Sequence, residues 1–215
     1  LLVVRVAVAL LGISQDEEQV EGEILHLLSE FLGLNRGRVV LPDPETGELR
    51  IVHAYGLTQE ETARGKYLPG EGITGRVMTS GQTAIVQDVD AEPLFLFRSV
   101  ARANLPQGTV SFIALPLEQG GRVIGVLGVH RLRERPRPLA RDQQVLKIAA
   151  TLITHVILLN EFIRERTSRL ESENRELKWA LTKDLSTYGS FGIVGESLQL
   201  RRALKQIEQV AQSEA

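Results

Sequence analysis

The sequence predicts an α/β fold of the α+β type, in which helices flank an antiparallel sheet and a long helix follows it. Three observations support this fold class. Two pairs of apolar runs are each joined by a glycine-containing turn, as expected of two β-hairpins. An amphipathic helical pattern precedes the first hairpin. After the second hairpin, no glycine or proline interrupts a helical pattern between Leu139 and Gly189.

Size and composition suit one globular domain with additional segments. The 215 residues are 43% hydrophobic, which is enough for a buried core. With 25 basic and 27 acidic residues, the net charge of −2 gives no field that would attract nucleic acid. The absence of cysteine excludes disulfides, thiolate metal sites and a catalytic thiol. The four histidines, His26, His53, His130 and His155, are too widely spaced for a metal site. Neither a metal nor a cofactor is therefore expected.

The chain opens with the apolar segment LLVVRVAVALLGI. At about 13 residues it is shorter than the roughly 20 that a membrane-spanning helix needs, and Arg5 interrupts it. A buried helix is the better interpretation. Because its apolar residues surround the helix, a second copy of the chain is expected to cover it. We therefore expect a dimer contact in residues 1–15, and the absence of an initial methionine suggests a fragment of a longer protein.

The first predicted helix begins at a capping box formed by Ser14 and Glu17 and ends at Gly33. Its apolar residues recur at helical spacing: Val20, Ile24, Leu27, Leu28, Phe31 and Leu32. The stretch RVVLPDPETGELRIVHAYG follows, and its residues 43–47 contain the proline and glycine of a hairpin turn. Two antiparallel strands are therefore predicted on either side of this turn.

A second capping box, formed by Thr58 and Glu61, predicts a short helix that ends near Gly65. The residues from Lys66 to Pro69 then form a predicted edge strand, limited by its proline.

Glycines punctuate the next helix, which lies within GEGITGRVMTSGQTAIVQD at residues 70–88. Gly72 is expected to end a strand, and Gly81 to cap the helix C-terminus at positive φ. One face of this helix is expected to be buried through Ile73, Val77 and Met78. Residues 70–75 also spell the G-x-G-x-x-G of a phosphate-binding loop. No apolar strand precedes them and no Lys-Ser or Lys-Thr pair follows, so the structural interpretation is preferred.

A short strand from Thr83 to Val86 and a long loop over residues 88–108 come next, the loop with room for one helical turn. Long loops in compact domains are usually functional or mobile. The second hairpin follows as VSFIALPLEQGGRVIGVLGVHRL, with its turn at Gln119–Gly121. Because both of its strands are apolar on both faces, we expect them to be central in the sheet.

The helical pattern after Leu139 is far longer than the roughly 8 to 20 residues of an ordinary globular helix. Four apolar residues stand seven apart along it, namely Val156, Ile163, Leu170 and Leu177. The companion positions of this heptad pattern are mostly polar. This pattern predicts a weak parallel coiled coil, in which Asn174 sets the register. A single solvated helix that acts as a spacer remains the alternative.

The long helix is expected to break at Tyr188–Gly192. The last segment, GIVGESLQLRRALKQIEQVAQSEA, then begins a second unit. One face of its helix is apolar: Leu200, Leu204, Ile207, Val210 and Ala211. Because the chain offers almost nothing to cover this face, we expect the helix to belong to a further domain.

The order of these elements resembles a GAF domain over about residues 16–160. The match is carried by PGEGITGRVMTSGQTAIVQDVDAEP and SFIALPLEQGGRVIGVLGVHRL. Together with EFIRERTSRLESENRELK and FGIVGES, the pattern is similar to the N-terminal part of NifA-type activators of sigma-54-dependent transcription. The resemblance divides the chain into an N-terminal helix at 1–15, a GAF sensor at 16–160, a helical linker at 161–189 and the start of an AAA+ domain at 190–215.

The resemblance implies a regulatory fragment of a cytoplasmic bacterial activator, with no membrane attachment and no enzymatic activity of its own. The nucleotide-binding P-loop of such activators would lie beyond Ala215, so no catalytic residues are expected here. The Asn-Lys-Phe-Asp-Glu constellation of cyclic-nucleotide GAF domains is absent, which disfavours cyclic nucleotides as ligands. A homodimer through the N-terminal and linker helices is the implied assembly.

NifA-like GAF domains are associated with 2-oxoglutarate, a dicarboxylate that needs cationic anchors. The long loop supplies two candidate anchors, Arg98 and Arg102. The other candidate ligand-binding residues lie near them in the sequence: Phe95, Phe97, Ser99 and Ser111. Under this hypothesis, the loop and the sheet enclose a pocket whose occupancy is transmitted through the long helix.

A second hypothesis is a dimerisation and docking module that binds a protein such as an antiactivator and no metabolite. Its pocket would then be filled by Phe95, Phe97 and Phe112. An enzyme is the third and weakest interpretation. Its carboxylates lie in turn segments and lack a paired nucleophile or metal: Glu71, Asp88, Asp90 and Glu92.

Overall fold

A computed structural model describes residues 20–132, 139–188 and 197–211 of the chain. The predicted N-terminal helix and the Ser14–Glu17 capping box lie outside these residues, as does most of the predicted helix break after Tyr188. The chain divides into two compact units, Leu1–Asn160 and Glu161–Ala215.

The first unit is built on a six-stranded antiparallel sheet with the order β3-β2-β1-β6-β5-β4. Its strands are β1 (Leu34–Pro42), β2 (Leu49–Tyr55), β3 (Lys66–Tyr67), β4 (Ala84–Val86), β5 (Val110–Gln119) and β6 (Arg122–Leu132). Both predicted hairpins are confirmed, and β3 is the predicted edge strand. The strands β5 and β6 of the second hairpin lie inside the sheet, which agrees with their apolar residues on both faces.

Helices and a long loop surround the sheet. The helices are α1 (Val20–Leu32), α2 (Gln59–Arg64), α3 (Gly72–Ser80), α4 (Leu139–Tyr188) and α5 (Leu198–Ala211). The capping box that begins α2 is confirmed, since the Thr58 side chain accepts from the Glu61 amide at 3.1 Å and the Glu61 carboxylate accepts from the Thr58 amide at 3.0 Å. The long loop contains one 3-10 turn, Arg102–Asn104, as the sequence allowed.

The glycine-punctuated helix α3 differs from the prediction at its start. Gly72 is the first residue of the helix and has φ +58°, so the expectation that it ends a strand is wrong. A side chain there would be strained in this left-handed conformation and would collide with Leu96 of the long loop. Gly81 caps the C-terminus of α3 with φ +67°, as predicted.

The two faces of the sheet are covered differently. The helices α1 and α4 cover one face, here called the helix side, over an apolar core that includes Leu25, Ile113, Leu127 and Ile153. The helix α3 and the long loop cover the other face, here called the loop side, whose core includes Phe95 and Phe112. Because side chains alternate along a strand, neighbouring residues such as Phe112 and Ile113 belong to opposite faces.

The helix α4 runs unbroken from Leu139 to Tyr188, which confirms the predicted long helix. Within the first unit, its residues 146–157 contribute to the helix-side core. By length and composition alone, Asp142–Trp179 could cross a membrane, but packing of Leu146, Ala149 and Ile153 against the sheet accounts for its apolar character. In the second unit, Ile163, Leu170 and Leu177 are exposed. The coiled coil therefore stays a prediction that a single chain does not test.

Gly125 on β6 offers a test of how tightly the helix side of the sheet is packed. A Cβ atom at this position would overlap the Leu41 side chain and lie 2.7 Å from the carbonyl oxygen of Val40. We expect Gly125→Ala to lower the free energy of unfolding by about 1–3 kcal/mol, measured by urea denaturation. The control is Gly22→Ala in α1, where a Cβ atom meets nothing within 4 Å. This variant should be neutral or gain up to about 1 kcal/mol of helix stability.

Candidate functional site

The loop side of the sheet encloses a small cavity. It lies between strands β1, β3 and β5, the first turn of α3 and residues 94–100 of the long loop. Its volume is about 10 Å³, the space of roughly one water molecule. Its lining includes Arg38, Tyr67, Thr74, Phe95, Phe97, Arg98, Ser99 and Phe112.

Arg38 is the central charged group of this cavity. It lies on β1 just after a register irregularity between Asn35 and Arg38, and it is only 2% exposed. The guanidinium carbon stands 4.6 Å from the centre of the Phe112 ring. Neither Nε nor Nη1 has a hydrogen-bond acceptor among the described residues. Burial lowers the pKa of Arg38, but an arginine side chain keeps its charge in proteins. The cavity therefore contains a buried cation with unused donors.

Glycine at position 128 of β6 makes room for this cation. Gly128 lies opposite Arg38 across the β1–β6 ladder. A Cβ atom on Gly128 would come within 2.9 Å of the Phe112 ring and 3.4 Å of Arg38 Nε. The flat backbone of β6 thus lets the guanidinium and the ring share the floor of the cavity.

His130 lies beside this floor and is completely buried. Its ring packs against Phe95 and Phe112, with centroid distances of 5.7 and 5.1 Å. Burial, and then the positive charges of Arg38 and Arg36, hold its pKa well below 6.5, although a contact with the backbone of Arg36 opposes this shift. His130 is therefore a neutral ring at physiological pH.

The pKa of His130 predicts a loss of stability in mild acid. The unfolded chain takes up a proton at about pH 6.5, whereas the folded chain does so only at lower pH, so lowering the pH below 6.5 favours unfolding. We expect the free energy of unfolding to fall by up to about 1.4 kcal/mol per pH unit through this group. Denaturation of His130→Phe between pH 7.5 and 5.5 should show a shallower pH dependence. The exposed His155→Gln is the matched control and should keep the wild-type slope.

Arg98 fastens the long loop to the start of α3. Its guanidinium nitrogens donate to both carboxylate oxygens of Glu71, at 2.8 and 2.5 Å, and to the carbonyl oxygen of Lys66 at 2.7 Å. These hydrogen bonds raise the pKa of Arg98 and lower the pKa of Glu71. The predicted ligand anchor Arg98 thus already has a carboxylate partner at the edge of the cavity.

Arg102 stabilises the same loop from a different place. Its Nε donates to Asp90 at 2.6 Å, and its other nitrogens donate to the carbonyl oxygens of Pro106 and Gly108. Pairing with Asp90 raises the pKa of Arg102. Arg102 is not among the residues that line the cavity.

A third ion pair joins the loop to β1 and α2. Arg36 donates to both carboxylate oxygens of Glu61, at 3.1 and 3.2 Å, and to the carbonyl oxygen of Asn104 at 2.7 Å. The side chain of Asn104 donates to the same carboxylate. Burial raises the pKa of Glu61, but the hydrogen bonds from Thr58, Asn104 and Arg36 outweigh it, so the net shift is downward. The loop is therefore held closed at several points.

The structure gathers four of the six predicted site residues at the cavity: Phe95, Phe97, Arg98 and Ser99. Ser111 is buried elsewhere on β5 and donates to the carbonyl oxygen of Gln87 at 2.7 Å. Of the acidic residues considered for an enzyme, Glu71 and Asp90 pair with arginines, whereas Asp88 and Glu92 accept from loop amides.

Sequence reasoning missed Arg38 and the residues around it, Tyr67, Thr74 and His130. One signal was available. Arg38 and Val40 flank Val39 in an apolar strand, so strand alternation places the charged side chain on the same face as Val40, opposite to Val39.

An antiparallel sheet with two helices on one face, and a short helix and a long loop over a cavity on the other, defines a domain of the α+β class. The sequence model of the GAF domain family matches residues 16–157, and the chain belongs to this family. It is 32% identical over 201 residues to the nitrogen fixation protein VnfA of Azotobacter vinelandii, covering 93% of this chain and 38% of that protein. It is 35% identical over 175 residues to the Nif-specific regulatory protein of Azospirillum brasilense, covering 77% and 28% respectively.

The resemblance to GAF domains and to NifA-type regulators is thus confirmed, and the chain spans less than two fifths of the length of these relatives. Among solved structures, the nlh2 GAF domain of A. aeolicus in an inactive state superposes with a TM-score of 0.63 at 24% identity, over 74% of this chain and 94% of that one. A free methionine-R-sulfoxide reductase from Neisseria meningitidis gives a TM-score of 0.54 at 23% identity, over 70% and 82%. These structures support the fold alone.

Proposed function

We propose that this chain is the metabolite-sensing region of a NifA-like transcriptional activator. A small ligand enters the loop-side cavity, and its binding alters the helix α4, which continues toward an AAA+ ATPase. The observation that carries this proposal is the position of the cavity. It is lined by Phe112 of β5 and lies beside His130 of β6, and both strands also contribute to the core that contains the packed part of α4. The protein acts in the cytoplasm and has no enzymatic activity in this region.

Adjacent residues link the two faces of these strands. Phe112 lines the cavity, and the next residue, Ile113, lies in the core under α4. His130 packs beside the cavity, and the next residue, Arg131, forms an ion pair with Asp142 of α4 at 3.1 Å. A ligand that shifts Phe112 or His130 therefore acts on strands that directly support the helix.

The output depends on pairing of α4 between two copies of the chain. Exposed apolar residues at seven-residue spacing supply one contact column, and Asn174 adds a polar position that fixes its register. Residues 1–15 provide the second dimer contact. A marginal coiled coil has two arrangements close in energy, so a ligand with different affinities for them can shift their populations. In this scheme, 16–160 is the sensor, 161–189 the linker and 190–215 the start of the ATPase domain.

The proposed ligand is a small metabolite such as 2-oxoglutarate, as the resemblance to NifA-like GAF domains implies. Arg98 and Arg102 remain its candidate anchors. Arg98 would exchange the carboxylate of Glu71 for a carboxylate of the ligand, which requires the loop to open. Since the cavity has a volume of only about 10 Å³, opening of residues 94–100 is part of binding.

Calorimetry with 2-oxoglutarate tests this function. We expect the wild-type chain to bind it, and a concentration of 100 times Kd should stabilise the fold by about 2.7 kcal/mol in a thermal-shift assay. Arg98→Ala should markedly weaken the binding of 2-oxoglutarate. The control is Arg122→Ala, which removes an exposed arginine at the hairpin turn and should leave the affinity unchanged. Unchanged affinity in Arg98→Ala would exclude this anchor.

The second candidate function is a ligand-free dimerisation and docking module for a protein such as an antiactivator. It is favoured by the way that Phe95, Phe97 and Phe112 already pack against one another, with ring centroids 4.8 and 5.2 Å apart. If no compound in a panel of metabolites raises the melting temperature while the protein still dimerises, this second function is preferred.

A further inference from the structure

We infer, on the basis of the proposed function, that Arg38 is the primary anchor of the ligand and that the ligand is a small carboxylate. One carboxylate group binds the buried guanidinium on the floor of the loop-side cavity. This assignment differs from the loop arginines Arg98 and Arg102, which sequence reasoning favours.

The charge balance around the cavity leaves one positive charge over. Arg98 and Glu71 neutralise each other at its edge, and Arg36 and Glu61, which do not line the cavity, form a second ion pair. Among the described residues, no carboxylate forms such an ion pair with Arg38, which is only 2% exposed. A buried, uncompensated charge is costly, and an anion at hydrogen-bond distance removes that cost. The site thus prefers a ligand group with a single negative charge.

The donors of Arg38 point to a carboxylate. Nε and Nη1 have no acceptor among the described residues, and both are fully buried. The guanidinium carbon lies over the Phe112 ring, and the ring accepts no conventional hydrogen bond, so Nε and Nη1 stay available for an oxygen acceptor. Arginine pairs with carboxylates in this way through short, charge-assisted hydrogen bonds. The first turn of α3, which also lines the cavity, adds a helix N-terminus that favours negative charge.

The remaining lining sets the size and polarity of the ligand body. Thr74 and Ser99 supply hydroxyl groups, and the hydroxyl of Tyr67 lies 3.5 Å from Ser99 Oγ. Phe95 and Phe97 supply apolar rings on the loop. A short carboxylate with one further polar group, such as a 2-oxo acid, matches this lining. Phe97 has φ +49°, an unusual conformation for a large side chain, in the segment that must move for entry.

A dicarboxylate and a monocarboxylate should therefore bind differently. The first carboxylate of either compound binds Arg38. The second carboxylate of 2-oxoglutarate reaches the edge of the cavity and competes with Glu71 for Arg98. A monocarboxylate such as 2-oxobutyrate has no second group and leaves the ion pair between Arg98 and Glu71 intact.

Calorimetry of the full chain separates these contributions with three probes: 2-oxoglutarate, 2-oxobutyrate and the uncharged dimethyl ester of 2-oxoglutarate. We expect Arg38→Met to weaken both acids at least about 30-fold, and the ester not to bind the wild type. Arg98→Ala should still bind 2-oxobutyrate, and Arg122→Ala should match the wild type for every probe. Because methionine removes a buried charge and nearly keeps its volume, the melting temperature of Arg38→Met should stay equal or rise.

A second measurement does not depend on the variant. The 15N-labelled Nε–H group of Arg38 should shift in NMR spectra when 2-oxobutyrate is added to the wild-type protein. Equal affinity of a carboxylate for the wild type and Arg38→Met, or an unshifted Arg38 signal at saturation, would overturn Arg38 as the anchor while the sensor function stands. If neither acid binds the wild type but another metabolite stabilises it, the carboxylate class is wrong and the sensor function again stands. If no metabolite binds, both are rejected.

Discussion

Replacing Asp142 with alanine is expected to lower the free energy of unfolding by about 3–5 kcal/mol, more than any other single substitution proposed for this protein. Asp142 on α4 is 1% exposed and pairs with Arg131 of β6, which is 3% exposed, at 3.1 Å. Removal of the carboxylate takes the Asp142 ion-pair partner away from the buried guanidinium of Arg131. Leaving one partner of a buried ion pair alone costs far more than the intact pair contributes.

Chemical denaturation of Asp142→Ala and of the double variant Arg131→Met/Asp142→Leu measures this effect. The double variant removes both charges and should recover most of the lost stability. The matched control is Glu173→Ala, which breaks an exposed pair with Arg169 farther along the same helix and should change little. If Asp142→Ala is as stable as Glu173→Ala, the ion pair does not hold the start of α4 on the sheet.

Ile153→Ala is expected to cost about 2–5 kcal/mol, the second large effect. Ile153 is 0% exposed and lies in the core between α4 and the helix side of the sheet. Truncation removes buried methyl groups and leaves a cavity that rigid strands cannot fill. The loss is measured by chemical denaturation at a concentration where the assembly state is fixed.

The matched control for Ile153 lies on the same helix. Leu170 is 63% exposed in the single chain, so Leu170→Ala should leave the stability of the sensor unit unchanged. If the proposed coiled coil exists, this substitution should weaken dimerisation in analytical ultracentrifugation. An equal loss of stability in both variants would contradict the division of α4 into a packed part and an exposed part.

Local signals in the sequence predicted most of the fold. The capping box at Thr58 and Glu61 involves residues within one helical turn. Gly81 adopts the positive φ that the C-terminal cap of α3 requires. The apolar strands of the second hairpin predicted their central place because both of their faces are buried. These signals depend on neighbours within a few residues, which a sequence displays directly.

The site was harder to predict because its contacts join distant residues. Arg98 pairs with Glu71 across 27 residues, and Arg102 pairs with Asp90 across 12 residues. Both arginines were correctly placed in the covering loop, but their carboxylate partners were not foreseen. Gly72 was misplaced because its positive φ begins a helix beneath Leu96 of the loop, a contact that only the folded chain forms.

Arg38 escaped sequence reasoning for a related reason. A charged residue within a strand normally faces solvent. Here, the long loop and α3 cover that face, and Gly128 on a strand distant in sequence makes room for the guanidinium. The burial of Arg38 therefore depends on tertiary packing and not on local preference.

Hydrogen exchange with and without saturating 2-oxoglutarate tests most directly whether cavity occupancy reaches the helix. Amides in residues 94–100 of the loop should exchange more slowly when the ligand is bound. The exchange of residues 142–157 of α4 should change as well, because these residues pack on the strands that form the cavity floor. A ligand that binds and protects the loop but leaves residues 142–157 unchanged would contradict a sensor that signals through α4.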